Sequence, residues 1–112
     1  MGGDWIPTSF VRAAPEVWGY VQRFVSARRD DWYRSIAIKR DGPTDIIVRE
    51  GRDDTAWPID DGLLELVQII KSAGERGAVV VDRVFEQCWI TPSWDDAVGF
   101  VEYTNEIDDQ DT

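Results

Sequence analysis

The chain has 112 residues, with 22 Asp plus Glu against 12 Lys plus Arg, a formal charge of −10, no His and one Cys. Without His it holds no Ser-His-Asp or Cys-His centre and no histidine-ligated zinc, and one Cys allows neither an internal disulfide nor a paired-cysteine zinc cluster. At 43% apolar, with six Trp, four Phe and three Tyr, it has the material for one small domain and not two.

The chain opens Met1-Gly2-Gly3-Asp4-Trp5, without the basic region and apolar core of a signal peptide. Ile6 stands where a myristoylation motif wants Ser or Thr. No apolar run approaches the roughly 18 residues of a membrane span. The expectation is a cytoplasmic protein with no membrane partner.

Ala14-Pro15-Glu16 predicts a helix start, with Pro in the first turn and an acid facing the positive end of the dipole. Val17, Trp18, Val21, Phe24 and Val25 follow at helical spacing, and Arg23, Arg28 and Arg29 suit its far end. Gly19 inside this helix predicts close approach of another backbone. From Trp32 to Lys39 the period becomes two. Trp32, Ile36 and Ile38 share one face, and Tyr33, Ser35, Ala37 and Lys39 the other. Asp41-Gly42 then signals a hairpin turn, with Pro43 calling for slightly more than two loop residues, and Asp45 to Glu50 returns as a strand. Gly51 to Asp54 reads as a second turn, and Thr55-Ala56-Trp57 as a short edge strand that Pro58 ends.

Asp60 or Asp61 caps the next helix, Gly62 to Ala73, which Gly74 closes. Leu63, Leu66, Val67, Ile70 and Ala73 make its stripe, widened by Leu64 and Ile69. A helix this apolar lies between layers or contributes to an interface. Ala78 to Val81 and Glu86 to Ile90 make either a second hairpin or one long bent strand. Cys88 falls inside the latter run and reads as a small buried hydrophobe, with no cation or helix N-terminus beside it to activate the thiol. Thr91-Pro92-Ser93-Trp94-Asp95-Asp96 is a helix entry capped by Thr91 or by Ser93 with Asp96. Trp94, Ala97, Val98 and Val101 share a face of the last helix.

These elements predict a single two-layer α+β domain over residues 1–104, in the order α-ββ(β)-α-ββ-α. Its mainly antiparallel sheet has four or five strands, and about three helices pack on one face. Residues 105–112 read as a frayed acidic tail.

Four Asp-Asp pairs occur: Asp30-Asp31, Asp53-Asp54, Asp60-Asp61 and Asp95-Asp96. None lies in an alternating calcium-loop pattern, so no metal ligand is assigned. No glycine loop cradles phosphate, and Lys39 and Lys71 are the only amine bases. No catalytic residue and no cofactor are assigned. A charge of −10 repels nucleic acid and anionic membranes and favours a basic protein partner. Trp5, Trp57 and Trp94 sit at turns or element ends beside acids, where a rigid aromatic flanked by carboxylates suits Arg or Lys. The predicted partner-binding residues are Asp53, Asp54, Trp57, Asp60, Trp94 and Asp95.

In size, charge and aromatic content the chain resembles small bacterial immunity proteins. That resemblance implies an inhibitor, of the immunity or antitoxin kind, that plugs the basic cleft of an enzyme attacking nucleic acid. Its element order is similar to that of small acidic secretion chaperones, which dimerise; this implies a carrier, with a homodimer through the helix at 62–73 as one use of that stripe. Two further readings complete the set. One is a carboxylate-based or metal-dependent enzyme. The other is a salt-adapted protein, which would fit the acidity and the ratio of ten Arg to two Lys.

Overall fold

The computed structural model describes residues 6–26, 34–50 and 53–110. In chain order its elements are β1 (Val11–Arg12), α1 (Pro15–Ser26), β2 (Ser35–Asp41), β3 (Asp45–Glu50), β4 (Asp53–Pro58), a 3-10 turn (Asp61–Leu63), α2 (Leu64–Ser72), β5 (Ala78–Asp82), β6 (Gln87–Thr91) and α3 (Trp94–Gln110). All strand pairs are antiparallel, in the order β1-β6-β5-β2-β3-β4. The fold is α+β with three helices, as the periodicities imply. The sheet has six strands instead of four or five, because the N-terminal segment adds β1 beside β6, Val11 opposite Ile90.

Local chemistry explains most boundaries. Glu16 in the first turn of α1 and Arg23 in its last complement the helix dipole. Gly42, at φ 71°, makes the three-residue turn between Asp41 and Asp45. The Asp60 carboxylate accepts the Gly62 N–H at 3.0 Å and starts the 3-10 turn leading into α2, and Gly74, at φ 101°, ends the helical stretch. Residues 78–91 form the hairpin and not a bent strand, with Val81 opposite Cys88. Both predicted caps of α3 are used. Thr91 Oγ1 accepts the Ser93 N–H, and Ser93 Oγ accepts the Asp96 N–H. The Asp96 carboxylate does not complete a capping box; it accepts the hydroxyl of Ser9 at 2.7 Å, tying the N-terminal segment to α3.

The helices do not share one face. On one side of the sheet α1 and α2 cover Ile36, Ile38, Ile46, Val48, Val79, Val81 and Cys88 with Val17, Val21, Phe24, Leu63, Leu66 and Ile70. On the other, α3 covers Ala37, Ala78, Val80 and Trp89 with Ala97, Phe100 and Val101. The arrangement is therefore three layers. Fully burying a Val, Leu, Ile or Phe side chain stabilises by about 1.5–3 kcal/mol, so neither face is dispensable. The second face is built on small residues. Ala37 and Ala78 let α3 lie close to the sheet, and Trp89 and Phe100 meet edge to face at 5.2 Å between ring centroids.

The boundary predicted at residue 104 does not hold. α3 continues to Gln110, and Asn105 is buried at 5% exposure. Its side-chain oxygen accepts the Ser35 N–H at 3.0 Å, and its amide nitrogen donates to the Ser35 carbonyl at 3.1 Å. An amide so placed mimics a neighbouring strand and fixes α3 to β2. Ser35 and Thr104 share a buried hydroxyl hydrogen bond beside it. Gly19 is likewise not a point of close approach: a Cβ built there meets nothing within 4 Å.

Candidate protein-binding surface

The two β-sheet edges differ. β1 has two residues, whereas β4 has six, all exposed except the half-buried Trp57. Asp53 and Asp54 lie in this strand and not in a turn, Asp53 opposite Glu50 and Asp54 opposite Arg49. The turn reading failed because Asp-Asp has poor strand propensity, and pairing with β3 overrides it. Asp54 is 46% exposed by side chain and lies 3.2 Å from the Arg49 guanidinium, whose other arm holds Glu102 of α3 at 2.8 Å. Asp60, just beyond β4, is exposed and caps the 3-10 turn.

The predicted aromatic anchors are less open than their flanking acids suggested. Trp57 packs on the α1/α2 side, edge to face with Phe24 at 6.0 Å. Trp94 packs on the α3 side with the Lys39 ammonium 4.7 Å from its ring centroid, a cation–π contact inside the chain. Trp18 is half-buried, and Trp89 is buried at 4% exposure. Trp5, Trp32 and Asp30-Asp31 lie outside the described residues. Asp95 is exposed, 3.8 Å from the equally open Arg76, a separation at which an ion pair contributes little. Asp53, Asp54, Trp57 and Asp60 therefore lie along β4 and its exit, while Trp94 and Asp95 start a helix on the opposite face. The six predicted residues form no single site.

No local sequence pattern signals the recess beside the β5–β6 turn. A cavity of about 190 Å³ lies between Trp89, Phe100 and Phe85, with Arg34 and Asp82 at its polar side. Asp82 accepts two bonds from Arg34, at 3.3 and 3.2 Å, and one from the Val84 N–H at 3.0 Å. The Arg34 guanidinium also stands 5.3 Å from the Phe85 ring centroid. The polar groups here are thus engaged with each other, and the volume is below the roughly 300–1,000 Å³ of small-molecule sites. Val84 and Phe85 beside it are exposed.

Burial pushes the Cys88 thiol up from its ordinary 9.0 to about 12, only partly opposed by a backbone hydrogen bond at Trp89. Such a thiol is not a nucleophile at neutral pH. Among the described residues, no group of three or more Cys, Asp or Glu side chains is placed to hold a metal ion, and no helix is long and apolar enough to cross a membrane. The apolar stripe of α2 is used inside the chain: Leu66, Val67 and Ile70 are buried, and Leu64 is the exposed large residue of that helix.

Comparison with protein-family models, curated proteins and solved structures gives no match to this chain.

Proposed function

We propose that the protein is a non-catalytic acidic binding domain that recognises a basic protein, acting as an inhibitor of an enzyme with a cationic cleft. The observation that carries this reading is the charge along β3, β4 and the turn that follows. Residues 45–63 hold six acids against Arg49 and Arg52, and Asp53, Asp54, Asp60 and Asp61 are exposed. Arg49 is already engaged by Asp54 and Glu102. An acidic face of this kind raises the association rate with a positively charged surface and rejects anionic ones, including nucleic acid. With Trp57 turned into the core, recognition rests on carboxylates and backbone more than on an aromatic anchor.

A second reading is a small carrier of the secretion-chaperone type. It is supported by the element order from α1 to α3, one helix, three strands, a helix, two strands and a helix. A homodimer through 62–73 would use Leu64, which is exposed, and the half-buried Ile69, since Leu66, Val67 and Ile70 of that stripe are buried within the chain.

The test is affinity capture from the native host at low and then moderate salt, with partners identified by mass. One stoichiometric basic enzyme, released at lower salt from the Asp53→Asn/Asp54→Asn variant, is the expected result. A client bound through a disordered segment would instead favour the carrier. Capture of no partner at all would overturn both readings.

A further inference from the structure

β4 carries more than acidity; among the described residues, no strand pairs with its outward edge. The Ile59 N–H donates to the Thr44 carbonyl at 2.8 Å, just beyond the end of the β3–β4 ladder, which sets the phase of its bonded pairs. Antiparallel ladders alternate bonded and non-bonded pairs. The bonded pairs of β4 are therefore Trp57 with Ile46, Thr55 with Val48 and Asp53 with Glu50. The backbone groups of Asp54, Ala56 and Pro58 point away from the sheet. Pro58 lacks an N–H at a position where β3 needs none, so the edge ends without loss to the fold.

Native proteins protect such edges with lysines, bulges, short strands or a covering element. The edge at β1 is short, whereas β4 offers the N–H groups of Asp54 and Ala56 and the carbonyls of Asp54, Ala56 and Pro58. Its charged side chains are carboxylates, Asp53 on the α1/α2 face and Asp54 on the α3 face, with Asp60 and Asp61 beyond its far end. This arrangement repels an acidic strand and leaves the edge open to a cationic one.

We infer that β4 is a docking edge, at which an extended, Lys- or Arg-bearing segment of a partner protein adds as a seventh strand. The inference rests on the reading of the protein as a binder of basic partners, and specifies how they are held. Backbone bonds to Asp54 and Ala56 supply the register, and two adjacent cations of the segment, which point to opposite faces, meet Asp53 and Asp54. A second copy of the chain is a poorer occupant, because two-fold pairing along β4 brings the Asp53 and Asp54 carboxylates of both copies to one seam and joins two chains of charge −10 each.

The probe is a short synthetic Val/Thr-rich peptide with a central Lys-Lys pair, titrated into the intact protein while backbone amide shifts and hydrogen exchange are followed. The expected result is a shift and new exchange protection at the Asp54 and Ala56 amides, with none along β1. Ala56→Pro removes an outward N–H without touching the β3 ladder, and should weaken the peptide about tenfold or more. Asp53→Asn/Asp54→Asn should weaken it too, and added salt should act mainly on that component. Binding that responds to the Asn pair but leaves the Ala56 amide unprotected, or that survives Ala56→Pro, overturns the docking edge and leaves the acidic binder standing. So does a basic partner captured from the host equally well by Ala56→Pro. A chain that self-associates in light scattering and becomes monomeric with Ala56→Pro overturns the choice of occupant.

Discussion

Asn105 is the residue on which the attachment of α3 depends most directly. Its amide supplies both a donor and an acceptor to the backbone of Ser35, at the start of a central strand. Truncation leaves two buried backbone groups without partners, at roughly 1–3 kcal/mol each. Asn105→Ala is therefore expected to lower stability by about 2–4 kcal/mol in urea unfolding, whereas Glu106→Ala, one position on and exposed, should change it by less than about 0.5 kcal/mol. Cys88 makes a different prediction. Its folded thiol ionises near 12, whereas an unfolded one ionises near 9.0. The folded state therefore holds this proton more tightly, and the contribution is complete below pH 9 and lost as pH rises towards 12. Cys88→Val should flatten that alkaline decline by an amount on the order of a few kcal/mol, read from unfolding midpoints at pH 8 and above 10. In the folded protein at neutral pH the thiol should react with disulfide reagents only at the rate of opening.

Two glycines separate what a helix needs from what packing needs. A Cβ at Gly19 meets nothing within 4 Å, so Gly19→Ala should stabilise α1 by about 0.5–1 kcal/mol through restriction of the unfolded chain and better helix propensity. At Gly77 the same atom would stand 2.4 Å from the Ala73 Cβ and 2.7 Å from its carbonyl carbon. Gly77→Ala should therefore destabilise by about 1–3 kcal/mol, the range of overpacking, and the pair should move thermal midpoints in opposite directions. The sequence distinguishes neither case, because the residues flanking each glycine do not show what a Cβ there would meet. The same holds for Asp53 and Asp54. Local propensity makes them a turn, and only the register with Glu50 and Arg49 makes them strand.

At the scale of the molecule, a charge of −10 on 112 residues makes self-repulsion part of the stability balance. The thermal midpoint is expected to rise modestly between about 20 and 200 mM salt as screening sets in, with the chain fully folded at both ends of that range. A chain that folds only near molar salt would mean that the acidity serves solvation and not a partner. The three layers bury Ile36, Ile38 and Val81 from one side and Ala37, Val80 and Phe100 from the other, which is why no molar salt should be required.

The three helices, the two hairpins, the caps at Asp60 and Ser93 and the α+β class are legible in the amino-acid order. Those features depend on side-chain period, turn chemistry and capping, all of which act over a few residues. It also carried a signal of the third layer: Ala78 to Val81 is continuously apolar, the pattern of a strand covered on both sides. Which helix covers which face is settled by long-range packing alone. Alternation in β2 places Ser35, Ala37 and Lys39 together but does not say whether water or α3 lies over them. Only the tertiary structure turned Trp57 inwards, carried α3 through Asn105 to Gln110, and left the backbone of Asp54 and Ala56 open at an edge. These outcomes depend on contacts between segments far apart in the chain, and no local propensity encodes them.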